Sequence, residues 1–255
     1  MGCARAVEIE VAFTGQVAAS TWDEIWKLSR RFYECERGYI EGALGKRRQV
    51  ALVCDRASRA LVGMASIDTI VTSFGGRTLT ALYTSHVLLL EEFRGLNLIQ
   101  RLGFRSYLYG RLRHPLRPIY WFFDTFSYKS YLLLPKNFRE FWPRFDRATP
   151  QAVTALIDHL ATQVYGADWR PTLGLVAASG RKRLREHTAP VTPSLAGMPD
   201  VAFFVRANPG HAAGDMLVCL CPLSAMNWLA AGARALARAS ARLMRARSAR
   251  EPRQA

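Results

Sequence analysis

Apolar and polar residues alternate in VEIEVAF, Val7 to Phe13, which predicts a half-buried strand. The period then lengthens. Trp22, Ile25, Trp26 and Phe32 return at helical spacing in STWDEIWKLSRRFYECERGYIEGALG, predicting one helix broken near Gly38. Ser20 or Thr21 is its expected cap, with Glu24 in the first turn. A period of two resumes at RQVALVCD (48–55) and ALVGMASIDTIVTS (60–73), a hairpin across RASR. GGR makes the next turn, and TLTALYTSHVLLL (78–90) supplies a long third strand. The chain turns helical through EEFRGLNLIQRLGFRSYLYGRL and returns to a strand in IYWFFDTF after Pro118. SYKSYLLL opens a helical segment, and PQAVTALIDHLATQVYG (150–166) is a capped helix. The basic, proline-bearing stretch Ser179 to Pro199 predicts a mobile or exposed connection. DVAFFVRANPG and DMLVCLCPL predict late strands around a loop. The last segment predicts a helix with Leu229, Leu236 and Leu243 on one face and Arg234, Arg238, Arg242 and Arg245 opposite. This order describes an α/β domain with a mixed sheet over residues 1–225 and a basic C-terminal helix and tail over 226–255.

Half of the 255 residues are apolar, enough for a substantial core. A formal net charge of +15 favours anionic partners: phosphorylated cofactors, acidic carrier proteins, nucleic acid or acidic lipid surfaces. Nucleic acid is disfavoured, because the aromatics sit in apolar runs and no reader motif is present. The terminal helix reads as docked with a solvated basic face, or as a contact for an acidic partner or, peripherally, a membrane surface. Five cysteines form no metal-ligand pattern, so no metal site is expected, and they suit reduced, buried thiols. The start carries no secretory pattern and no apolar run reaches the length of a membrane span, so a cytoplasmic protein is expected.

Candidate chemistry gathers where the long strand ends. EEFRGLN places Arg94 and Gly95 just ahead of a helix whose free amides face the turn, an arrangement suited to an anion. Arg94 adds a charge-assisted contact to a phosphate. The same residues also suit a plain, solvated helix start. His86 shares a strand face with Thr84 and Leu88, and a histidine is the side chain that can titrate near neutral pH. His211 and Asp215 in ANPGHAAGD are either an oriented base or the shaping residues of a turn.

An antiparallel meander feeding this turn, then a helix, then a strand, resembles the GCN5-related N-acetyltransferase (GNAT) superfamily, over roughly Val7 to Phe145. The resemblance implies a GNAT-like mixed, largely antiparallel sheet flanked by helices. In that family a [Q/R]-x-x-G-x-[G/A] loop follows the long strand and its amides hold the pyrophosphate of an acyl-coenzyme A. The matching positions are Glu92, Gly95 and Asn97, so only the central glycine of the motif is kept. The resemblance therefore assigns donor binding to Arg94, Gly95, Leu96, Asn97 and Leu98. It implies His86 as the base with Glu91 in reserve, and Tyr131, or else Tyr128, as the proton donor to the leaving thiolate. It implies an N-acyltransferase with no tightly bound cofactor, taking an acyl-coenzyme A or acyl carrier protein thioester and a small-molecule amine. The arginines at 101, 105, 111, 113 and 117 suit an acidic carrier or a coenzyme A phosphate. A non-catalytic acyl- or protein-binding module of the same fold, and a basic nucleic-acid-binding protein, are the alternatives.

Overall fold

The computed structural model describes residues 6–93 and 98–248. In chain order they form β1 (Val7–Phe13), α1 (Ala19–Phe32), β2 (Tyr33–Cys35), α2 (Arg37–Gly45), β3 (Gln49–Asp55), β4 (Leu61–Phe74) and β5 (Arg77–Leu89). Next come α3 (Leu98–Arg113), β6 (Ile119–Thr125), α4 (Tyr128–Tyr131), α5 (Leu133–Asn137) and α6 (Gln151–Tyr165). Then follow β7 (Trp169–Arg170), β8 (Leu175–Val176), β9 (Lys182–Leu184), α7 (Pro193–Ala196), α8 (Pro199–Ala207), β10 (Met216–Pro222) and α9 (Ala225–Ser248). The main sheet runs β1-β3-β4-β5-β6-β10-β8-β7, antiparallel at every junction except β5 with β6. Helices flank it, so the fold is the mixed, largely antiparallel α/β architecture that the pattern implies.

Strand burial follows the pleat. Ala81 and Tyr83 on β5 pack with Phe122 on β6 and Leu160 on α6, while Leu82 and Trp121 point to the opposite core. Ile25, Leu28 and Phe32 of α1 meet Val50, Leu52 and Met64. In α6 the buried set is Leu156, Ile157, Leu160 and Ala161, one helical stripe, and the chain leaves at Gly166 with φ +54.

Four sequence expectations need correction. The first helix is two: α1 ends at Phe32, residues Tyr33–Cys35 form a strand, and Gly38 lies inside α2. Its N-cap is Ala18, with no side-chain cap, and Glu24 instead pairs with Lys27 at 2.7 Å. Residues Pro199–Ala207 are a helix rather than a strand, begun by proline at the first turn and buried through Val201 and Phe204. The stretch 179–199 is built into the fold, since β9 pairs with β2 in the register Tyr33↔Leu184, Glu34↔Arg183 and Cys35↔Lys182. The C-terminal carbonyls of α1 drive that return, because Arg185 donates Nε–H to the Arg30 carbonyl at 2.7 Å.

The terminal helix also docks differently from its pattern. Arg234 reaches the carbonyls of Pro135 and Phe138, and Arg238 those of Lys136 and the Asn137 side chain, at the end of α5. Leu229 and Leu236 are exposed instead. Asn227 anchors the start of α9: its Oδ1 accepts from the amides of Arg139 (3.0 Å) and Glu140 (2.9 Å). Its Nδ2 donates to the carbonyls of Glu140 (2.8 Å) and Pro222 (2.7 Å). Replacing Asn227 by alanine strands four backbone groups around a side chain that is 1% exposed. We expect a loss of about 2 kcal/mol in urea unfolding, since part of that set regains water.

Candidate functional site

β5 and β6 pair from Thr80↔Ile119 to Thr84↔Phe123 and no further, although β5 runs on to Leu89 and β6 to Thr125. A bulge bends β5 away at that point. Ser66 opposes Ser85 but Met64 opposes Leu88, so His86 and Val87 together face Ala65. His86 holds φ +50, a left-handed conformation that histidine adopts more readily than bulkier residues.

The parted strand ends open a cavity of about 640 Å³. The bulge, the end of β6 with residues 126–130 after it, α5, and Lys182 and Leu184 of β9 wall it. Its described lining holds four cationic side chains, Lys129, Lys136, Lys182 and Arg238, and one carboxylate, Asp124, which favours an anionic ligand.

Lys182 is the residue that pattern reading missed. Its ammonium group lies 5.1 Å from the ring centre of Tyr33, 5.9 Å from Tyr39 and 5.0 Å from Phe126. Its Nζ is 3.3 Å from His86 Nε2. His86 Nδ1 continues the chain to Ser85 Oγ at 3.1 Å, and that hydroxyl meets Ser66 Oγ at 2.7 Å. Ser66 closes it by donating to the Ser85 carbonyl at 2.9 Å. A charged Lys182 has only donors, so Nε2 then accepts and the imidazole proton sits on Nδ1. Burial lowers the Lys182 pKa, against a raising field from Asp124. Burial also holds His86 well below 6.5, with Lys182 and Arg47 adding to the effect. Asp124 itself accepts from the phenols of Tyr83 and Tyr165, each at 3.1 Å.

The shift at His86 carries a signed consequence. Below pH 6.5 the unfolded chain binds a proton there that the folded chain refuses, so stability falls as pH drops. The slope contribution reaches about 1.4 kcal/mol per pH unit at most. Urea midpoints compared at pH 7.5 and 5.5 should show this loss in the wild type and a smaller one in His86→Asn, whose asparagine tolerates the same backbone region.

The other expected site residues are scattered. Tyr131 is fully buried against Phe141, Phe203 and Phe204 and donates its hydroxyl to the Pro143 carbonyl at 3.1 Å. Burial raises its pKa, and it is absent from the cavity lining. Tyr128, three residues earlier, lines the cavity. Glu91 is exposed in a short 3-10 turn, 91–93, beyond β5. Leu98 begins α3, while Arg94, Gly95, Leu96 and Asn97 lie outside the described residues. His211 stacks on Phe204, and Asp215 accepts from the Ala178 amide at 2.6 Å. That loop shapes the approach to β9. Lys182 had one legible cue: it is the only lysine in RKRLR, and of the two basic residues only lysine loses its charge readily when buried.

No protein-family model matches the chain, and no curated protein matches it. Among solved structures it is similar to a GNAT family N-acetyltransferase (YhbS) from Escherichia coli in complex with CoA, at 16% identity and TM-score 0.33, over 48% of this chain and 64% of that one. It thus spans less than two thirds of that protein. It is similar to Arabidopsis thaliana NAA60 in complex with a bisubstrate analogue at 12% identity and TM-score 0.37, over 49% and 80% of the two chains. A Trypanosoma brucei acetyltransferase matches at 18% identity and TM-score 0.38, over 57% of this chain and all of that one.

Proposed function

We propose that the protein is an N-acyltransferase that moves an acyl group from a pantetheine thioester to an amine by direct attack. The supporting observation is the cavity between the parted ends of β5 and β6, with a buried lysine and a neutral histidine in contact on its wall. An amine arrives largely as ammonium and must lose a proton before its lone pair can attack. Once in its neutral form, which its lowered pKa favours, Lys182 takes that proton; His86, held well below 6.5, is too weak a base to do so. His86 is instead a positioning residue, its Nε2 fixing the direction of the Lys182 amine. The amine nitrogen bonds to the thioester carbonyl carbon, the carbon–sulfur bond breaks, and the nitrogen sheds its second proton to water. The thiolate leaves with a proton from a neighbouring donor, which water then restores. Tyr128 is that donor in place of Tyr131, because only Tyr128 reaches the cavity.

The phosphate-holding role that the family resemblance implies for Arg94, Gly95, Leu96, Asn97 and Leu98 is part of this reading. Coenzyme A and an acidic acyl carrier present the same phosphopantetheine, and the cationic lining suits either. Tyr128→Phe should lower kcat about a hundredfold by removing the proton donor. Tyr131→Phe should leave kcat near wild type and lower stability by about 1 kcal/mol through the lost bond to Pro143. Thiol release from acetyl-coenzyme A with a panel of amines reads both. An equal fall in kcat for the two variants would contradict the assignment.

A further inference from the structure

A second, apolar space adjoins the first. It measures about 50 Å³ and lies between β4, β5, α3 and α9, with Ile67, Leu82 and Gly103 on its wall. Thr84, Val87 and Trp121 line both spaces, and we take this shared boundary beside the bulge as the neck that joins them. Val87 follows His86 directly, which sets that neck next to the Lys182–His86 contact. The neck is chemically quiet. Trp121 donates its indole N–H to Thr84 Oγ1 at 2.8 Å, so the indole needs no polar partner from an occupant. Asn137, also at the neck, donates to the Leu133 carbonyl at 2.7 Å and accepts from Arg238 at 3.0 Å.

We propose that this annex houses the distal part of a medium-length, apolar acyl chain, so that the donor is a thioester of about six to ten carbons rather than acetyl. The inference rests on the acyltransferase reading above. An acetyl group at the bulge leaves the apolar walls of the annex without an acyl partner, and a longer chain gains by covering them. At one water-sized group per 10–15 Å³, the annex takes roughly three to five methylenes. Each buried methylene tightens binding about fourfold, so three of them give roughly sixtyfold. The chain enters from the wide cavity, where the thioester carbonyl meets the amine, and the polar pantetheine arm stays on the cationic side.

The test is isothermal titration of acetyl-, butanoyl- and octanoyl-pantetheine, with no acceptor present, alongside the matching coenzyme A thioesters. Octanoyl should bind at least sixtyfold tighter than acetyl in both series, and a constant offset between the series measures the phosphates alone. In Gly103→Leu the octanoyl-to-acetyl ratio should collapse toward one. Leucine is favoured over glycine in the helix, and the first added carbon there comes no closer than 3.9 Å, to the Trp228 ring. Equal affinities for acetyl and octanoyl in the wild type would overturn the chain assignment while leaving the acyltransferase reading standing. A steep ratio that Gly103→Leu leaves intact would overturn the annex as its location. If no thioester of any length binds, in either series, the acyltransferase reading itself fails and this inference with it.

Discussion

Replacing Lys182 by methionine should cut kcat/KM by roughly a hundredfold or more, the range in which a positioned general base operates. Methionine nearly matches the lysine stem in length and suits the ring cage of Tyr33, Tyr39 and Phe126. It removes the charge that burial opposes, so stability at pH 7 should hold or rise. The sign follows from the shift. Lys182 has a folded pKa below 10.5, so the unfolded chain binds more protons between the two values and wild-type stability climbs with pH across that window. Lys182→Met should flatten that climb. Urea unfolding at pH 7 and 9.5, beside a thiol-release assay, separates the two effects. A variant that loses activity only in proportion to lost stability would mean that Lys182 is merely structural.

Gly214→Ala should be the most damaging small change, costing about 4 kcal/mol. Gly214 sits at φ +107, where a Cβ is strained by about 1–3 kcal/mol. An added Cβ would also lie 2.5 Å from the Lys182 carbonyl, a backbone atom that cannot swing aside. Overpacking of that kind adds about 1–3 kcal/mol. The relief available is a shift of β9 away from β2, which would draw the lysine from His86. Gly214→Ala should therefore lose activity even at temperatures where it stays folded, and its His86 should titrate closer to 6.5 by NMR because one of its depressing charges has moved. A folded Gly214→Ala with wild-type His86 titration would contradict this coupling between loop and site.

The sheet was legible because its strands are apolar runs of strand length, bounded by turn residues. In β3 and β4, Val50, Leu52 and Met64 alternate with the residues of the other face, and short glycine or polar turns join consecutive strands. The short helix α8 misled because Val201, Phe203 and Phe204 suit either period over so few residues, and Pro199 at its start was the better guide. The direction in which α9 docks was hidden for a different reason. A leucine face usually packs inward, but here the arginines serve the α5 carbonyls, and that demand lies far away in sequence. His86 was visible as a candidate on its strand. The bulge that turns it toward the cavity depends on a count of residues between two paired strands, which alternation does not reveal. Lys182 was hidden in a segment that reads as solvated because three arginines surround it; its strand partner lies almost 150 positions earlier in the chain.

Competitive amine labelling of Lys182 tests the account most directly. Among the five lysines of the chain, Lys182 should react at the lowest pH with a small acylating reagent, as its lowered pKa dictates. Saturating octanoyl-pantetheine should then protect it, while Lys27, on an exposed helix face, labels as before. Protection confined to Lys182 is the result expected if the thioester lies in the cavity between β5 and β6. Labelling of Lys182 that is unchanged by a thioester shown to bind would contradict the proposed site.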